Sequence, residues 1–251
     1  MSSVKTAVIL AAGMGTRLAA ENRDRPKGFL RLGERPIIEE SISRLRRVGI
    51  ERVLIVTGHC HDYYDMLASG SAGTIQTIFN EKYRDSGSMY SLYCARGLMQ
   101  DDFLLLESDL IYEQRALTSL INRSEIDCIL LSDATNSGDE VFVETRDEML
   151  VAMSKDKAKL ASVTGELVGI TRISKALFNV MISVAEDAFR SSLHYDYETD
   201  CLVEAAKLHP VHCHLEEDLA WGEIDDASHL ARARSSVYPK ILARDASLPR
   251  Q

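Results

Sequence analysis

The chain has 251 residues, 45% of them hydrophobic, with 38 acidic against 29 basic side chains and a formal net charge of −9. The charges are scattered, and no Lys/Arg block could track a phosphate backbone, which argues against nucleic acid and anionic membrane as partners. The apolar run 7–12 falls far short of the ~18 residues that span a bilayer and lacks the flanks of a secretory signal, so a cytoplasmic protein is expected. Five dispersed cysteines, Cys60, Cys94, Cys128, Cys201 and Cys213, form no CxxC pair and read as reduced thiols.

In chain order, runs rich in β-branched residues fall at 6–11, 53–57, 74–79, 103–107 and 127–131, each separated by a stretch with helical spacing. Ile38, Ile42, Leu45 and Val48 make one such helical stripe, closing near Gly49. The alternation predicts a doubly wound, mostly parallel α/β sheet of Rossmann-like type, whose ligands bind beyond the carboxyl ends of the strands. After Ser132 the pattern changes: 140–145, 150–154 and 167–173 alternate as antiparallel strands do, which suggests a small acceptor-binding insertion at about 133–173. Helical spacing returns at 175–189 and 199–207, followed by a short strand near 211–215 and a last helix from about Ala227. A single domain over 1–243 is expected, with 244–251 a flexible tail.

The first strand ends in Leu10-Ala11-Ala12-Gly13 and continues through Gly15, Thr16 and Arg17, with Pro26-Lys27 ten residues on. Small residues directly after a strand let the backbone approach a bound group and present N–H donors to phosphates, and Arg17 and Lys27 add positive charge. The stretch lacks the GKS/T end of a Walker loop, and Leu18 stands where a dinucleotide fingerprint has its third glycine. Further on, the apolar run 103–106 delivers Glu107, Ser108 and Asp109 at a strand's carboxyl end, where Asp109 suits a Mg²⁺ ligand. Trp221-Gly-Glu223-Ile-Asp225 offers a second acid, with Asp225 preferred over Glu223 as ligand and Asp226 placed to cap the following helix.

The loop with its downstream Pro-Lys resembles the signature of nucleotidyltransferases that make activated sugars and alcohols from a nucleoside triphosphate. That resemblance implies that Gly13, Gly15, Thr16 and Arg17 contact the phosphates, that Leu10, Ala11, Ala12 and Ser108 also border the nucleotide, and that Lys27 and Arg17 are catalytic, Lys27 stabilising charge on the α-phosphorus as pyrophosphate leaves. Residues 80–92, containing Ser86-Gly87-Ser88, resemble the base-recognition segment of phosphocholine-type cytidylyltransferases, which implies CTP read by Gly87, Ser88 and the backbone near Ala12. Lys27-Gly-Phe-Leu, residues 57–65, 106–112, 137–141 and 165–169 extend the likeness over almost the whole chain to the 2-aminoethylphosphonate cytidylyltransferases. CTP and a small phosphonate or phosphate-ester acceptor are the partners so implied, with Mg²⁺ as cofactor and a fusion to, or association with, a transaminase.

Such an acceptor carries an anion at one end and an ammonium at the other. Lys155 is the candidate for the first, Asp133, Glu166, Asp196 and Glu198 for the second, with Tyr197 and Trp221 nearby in sequence. Carboxylates outnumber aromatics here, favouring a primary amine over choline, whose quaternary group suits an aromatic cage. Phosphocholine remains the alternative acceptor, and a non-catalytic nucleotide-sensing domain the alternative outside enzymes. The His59-Cys60-His61 and His212-Cys213-His214 runs raise a zinc site, but in a strand the outer pair of the second run would face away from its cysteine.

Overall fold

The computed structural model describes residues 4–18 and 25–247. The chain runs β1 (Thr6–Ala11), α1 (Ile37–Arg47), β2 (Arg52–Thr57), α2 (His61–Ser69), β3 (Ile75–Phe79), α3 (Ser88–Cys94), β4 (Phe103–Glu107), β5 (Leu110–Tyr112), α4 (Arg115–Ile121) and β6 (Cys128–Ser132). Then come β7 (Phe142–Arg146), β8 (Met149–Ser154), β9 (Gly165–Ile173) and α5 (Lys175–Ala188). A π-helical turn, Tyr197–Leu202, leads into α6 (Val203–Ala206), followed by β10 (His212–Leu215), β11 (Trp221–Glu223), α7 (Ala227–Arg232) and, after a second π-helical turn, α8 (Tyr238–Ala246).

Nine strands form one mixed sheet in the order β3-β2-β1-β4-β9-β6-β10-β8-β7. Strands β3, β2, β1 and β4 are parallel neighbours; β9 runs antiparallel between β4 and β6. Alternation along each strand gives the sheet two apolar faces. Val8, Leu54, Phe103 and Leu105 pack on one side with Met89, Leu177 and Met181, while Ala7, Ile9, Ile55 and Leu106 pack on the other with Ile38, Tyr64 and Leu117. Helices thus cover both faces, and among the described residues no helix is long and apolar enough to cross a membrane.

The stretch 133–173, expected as an antiparallel insertion, divides. Strands β7 and β8 do pair antiparallel at the far edge of the sheet. All nine residues of β9, however, are buried, and the strand completes the central sheet. The segment expected to start a flexible tail also differs, since α8 continues through Ala246. Its Asp245 is tied to Arg44 Nη2 at 3.0 Å and accepts the Gln114 backbone N–H at 2.8 Å. Residues 248–251 lie outside the described part of the chain.

Two short strands missed by periodicity complete the frame. β5 and β11 pair antiparallel with Glu223 opposite Leu110, and the Ile224 N–H donates to the Asp109 carbonyl at 3.2 Å. Three-residue strands are too short to show an alternation, yet this pair registers the late acidic segment against the end of β4.

Candidate active site

A cleft opens where β1 and β4 end side by side. Leu10 lies opposite Glu107 in the parallel ladder, and the Ser108 N–H continues it to the Leu10 carbonyl at 3.0 Å. The cleft is lined by Leu10, Ala11, Ala12 and Gly13 from the loop after β1, by Gly87 and Ser88 at the start of α3, and by Lys27, Ser108, Asp109 and Asp225. Gly15, Thr16 and Arg17 follow in the loop without lining this cleft. Arg17 instead reaches Asp225 at 3.0 Å through Nη2.

Lys27 sits between two carboxylates, 2.8 Å from Asp109 and 2.5 Å from Asp225. Burial works to lower the pKa of its ammonium, but the two acids outweigh burial and hold it above the usual lysine value. Both aspartates therefore aim an oxygen at one cation. Asp226 does not join them, because its side chain accepts the His229 N–H at 2.9 Å and caps α7.

Glu223 occupies different surroundings. Burial raises its pKa well above the usual carboxylate range, with Asp109, Asp225 and Glu198 adding repulsion. Glu107 is raised in the same way, first by burial and then by Glu198 and Glu223, and burial pushes Glu198 up to about 7. Glu107 lines the cleft, Glu198 accepts from the cleft-lining Ser88 and Glu223 lines a smaller cavity, and among the described residues none of them is ion-paired. The Tyr197 hydroxyl, buried and without a hydrogen bond, lies against Glu107. The first π-helical turn brings Tyr197 and Glu198 here, with Ser88 as the anchor: its hydroxyl accepts the Tyr197 N–H at 2.9 Å and stands 3.2 Å from Asp196 and 3.3 Å from Glu198. Gly87 makes this close approach possible. A methyl group there would lie 2.5 Å from the Tyr195 carbonyl oxygen.

The other acceptor candidates scatter. Lys155 is within electrostatic reach of Glu198 and Glu223, and its ammonium binds Asp139 at 2.7 Å. Asp133 is exposed and accepts the Asp218 N–H at 2.8 Å, so it braces a loop away from the cleft. Glu166 is buried and holds Thr135 by its N–H and its hydroxyl. Trp221 is buried too, its indole N–H donating to Ser132 Oγ at 2.7 Å. Glu166 and Trp221 instead line a smaller adjoining cavity together with Asp139, Glu223 and His229. His61, Asp62 and Asp65 bring three ligand-type atoms within 4.8 Å of one another, but on the exposed start of α2.

Sequence reasoning missed Glu107 as a pocket residue, Asp139 as the partner of two cations, and the cleft-lining Tyr64 and Tyr83. Glu107 was visible as the only charge in an otherwise apolar strand. Tyr64 and Tyr83 carried no comparable signal, being aromatics in segments whose helical or loop character accounts for them.

Among relatives, choline-phosphate cytidylyltransferase of Streptococcus pneumoniae is 29% identical over 130 residues, 52% of this chain and 56% of its own length. CMP-5'-(3-aminopropyl)phosphonate synthase of Streptomyces rubellomurinus is 33% identical over 128 residues, 50% of this chain and 20% of its own length. The matched region thus spans about half, or less, of these relatives. The solved inositol-1-phosphate CTP transferase from T. maritima superposes with a TM-score of 0.83 at 18% identity, covering 100% of this chain and 99% of that one, and so shares the fold. The model of the MobA-like NTP transferase domain matches residues 7–180, from the first strand through the loop and the acidic end of β4 into α5, and the chain therefore belongs to that family.

Proposed function

We propose that the chain is a cytidylyltransferase that moves CMP from CTP onto the anionic oxygen of a small amine-bearing phosphonate or phosphate ester, with 2-aminoethylphosphonate as acceptor and CMP-2-aminoethylphosphonate and pyrophosphate as products. The observation that carries it is a group of three carboxyls around Lys27 and its two aspartates: Glu107 lines the cleft with them, the cleft-lining Ser88 donates to Glu198, and Glu223 lies in β11, opposite Leu110 and two residues before Asp225. Partly buried carboxylates lacking a paired cation are unfavourable alone and become favourable when a ligand brings the missing ammonium. One relative is named for choline phosphate and the other for making CMP-5'-(3-aminopropyl)phosphonate, which supports an acceptor or product with a cationic nitrogen and a phosphorus oxyanion.

Asp109 and Asp225 fit a Mg²⁺ ion, since hard carboxylate oxygens from two segments converge on one positive charge, here the Lys27 ammonium. Bound there, the metal would neutralise charge on the phosphate oxygens. The residues of the chain do the rest. Backbone N–H groups of the small-residue loop face the phosphates, Lys27 offsets charge that builds as pyrophosphate departs, and Gly87 and Ser88 border the space for the base. The three glutamates orient the acceptor by its ammonium, so that its oxygen points toward the α-phosphorus. That oxygen is already ionised, and the reaction requires no general base.

Pyrophosphate release from CTP, Mg²⁺ and 2-aminoethylphosphonate tests the reading. Asp109→Ala should reduce the rate at least about a thousandfold while leaving the circular dichroism spectrum unchanged. Retained release in Asp109→Ala would overturn the assignment of that carboxylate. Absent release in the wild-type protein with every acceptor would overturn the enzyme reading in favour of a nucleotide sensor.

A further inference from the structure

Three cations and three carboxylates alternate across the mouth of the site. Asp109 is followed by Lys27, Asp225, Arg17, Asp139 and Lys155, each in contact with the next. Asp109, Asp225 and Lys27 have tasks in the proposed reaction. Asp139 has none there, although its two oxygens are shared between two cations: Oδ2 meets Arg17 Nη1 at 3.1 Å and Oδ1 meets Lys155 Nζ at 2.7 Å. Its loop is anchored elsewhere, by Glu166 and Arg232 at Thr135 and by His229 at the Ser137 carbonyl. Among the described residues the Asp139 carboxylate is held by Arg17 and Lys155 alone, and it can leave without unmaking the loop.

We propose that Asp139 is a place-holder for a substrate oxyanion: Arg17 and Lys155 form the binding pair for the acceptor's phosphonate or phosphate group, and in the ligand-free protein the Asp139 carboxylate fills it. A tetrahedral oxyanion offers the same two-oxygen bridge with greater charge, and so displaces the carboxylate. Asp139, which the pair holds, lines the same small cavity as Glu223. Lys155 is within electrostatic reach of Glu198 and Glu223, so one small molecule can engage the pair with its anion and the glutamates with its ammonium. This assignment deepens the acceptor reading above and rests on it for the identity of the ligand. Asp139 would then set acceptor affinity, keeping the two cations apart from adventitious anions until a divalent oxyanion competes for them.

Calorimetric binding of methylphosphonate and of 2-aminoethylphosphonate, without nucleotide, tests the proposal independently of turnover. Asp139→Asn should bind both about tenfold more tightly than the wild type, and Lys155→Gln more weakly. Glu140→Gln, which removes a neighbouring charge while its amide oxygen can still accept the Gly138 N–H, should change affinity by less than about twofold. Equal gains in Asp139→Asn and Glu140→Gln would show a general field effect and overturn the proposal. So would unchanged or weaker binding in Asp139→Asn, which would make the carboxylate a brace or a direct ligand of the acceptor. A gain in Asp139→Asn alone, in a protein that releases no pyrophosphate from CTP, would keep the oxyanion pair and reject the cytidylyltransferase reading.

Discussion

Lys27 is held by carboxylates from two distant segments, Asp109 after β4 and Asp225 after β11, and its position depends on the residue that follows it. Gly28 lies under the Tyr64 hydroxyl and the Ser108 carbonyl, where a methyl group would meet them at 2.9 and 3.1 Å. Tyr64 is fully buried, with Phe29 against its ring at 5.2 Å, and cannot swing away. Gly28→Ala should therefore lift the Lys27 segment off the end of β4, lowering stability by about 1–3 kcal/mol and kcat/KM at least about tenfold. Thermal unfolding and pyrophosphate release measure the two effects. Glu198 gives a pH prediction at the same scale. Burial raises its pKa to about 7 in the folded protein, so the folded state binds its proton more tightly than the unfolded chain does. Stability is then fully present below the ordinary glutamate value and is lost as pH rises toward 7, with Glu107 and Glu223 acting in the same direction. Glu198→Gln should narrow the difference in melting temperature between pH 5 and pH 8. A difference as wide as in the wild type would contradict the burial argument. Lys27 was legible in the sequence because a cation follows a proline soon after a small-residue loop. Glu107 read as the tail of an apolar strand, since its partners Glu198 and Glu223 come from segments that only the fold brings near.

At the scale of elements, continuous apolar strands and a regular helical stripe made β1, β2, β4, β6 and α1 readable. What escaped was built from segments shorter than one period of either pattern. β5 and β11 have three residues each, yet their pairing sets Asp225 beside Asp109. The first π-helical turn, which supplies Glu198, begins at Tyr197, ahead of the helical spacing expected at 199–207, so Glu198 fell outside that helix. The C-terminal helix shows the opposite error, for a polar stretch resembled a loose tail while its acid was the partner of a distant arginine. Asp245 receives Arg44 Nε at 3.2 Å and Nη2 at 3.0 Å, and both side chains are about nine-tenths withdrawn from solvent. Asp245→Ala should leave Arg44 without that partner and the Gln114 N–H without its acceptor. Urea unfolding should register a loss of about 3 kcal/mol, whereas a loss below about 0.5 kcal/mol would mean that the pair is no better than a surface contact.

Across the whole molecule, the sheet order places the carboxyl ends of β1 and β4 together, and the late strand β11 returns the chain to the same edge. The site that results is electrically divided. Lys27, Arg17 and Lys155 alternate with Asp109, Asp225 and Asp139, while Glu107, Glu198 and Glu223 are without an ion pair among the described residues; the proposed reaction puts the oxyanions at the first group and the acceptor's ammonium at the second. Fold class was legible from alternation alone, because apolar burial on both sheet faces leaves a strong periodic record. Of the acceptor candidates, Glu198 lies against the cleft-lining Ser88, while Asp133, Glu166 and Trp221 make their contacts elsewhere, because nearness in sequence does not set which side chains share a cavity. The central claim is that this divided site selects an acceptor by its ammonium as well as its phosphonate. It is tested most directly by comparing kcat/KM for 2-aminoethylphosphonate and ethylphosphonate, which differ only in the amine, in pyrophosphate release from CTP and Mg²⁺. A preference of at least about a hundredfold for the amine is expected, the value of one well-placed charge pair of about 3 kcal/mol. Equal rates with the two acceptors would contradict it.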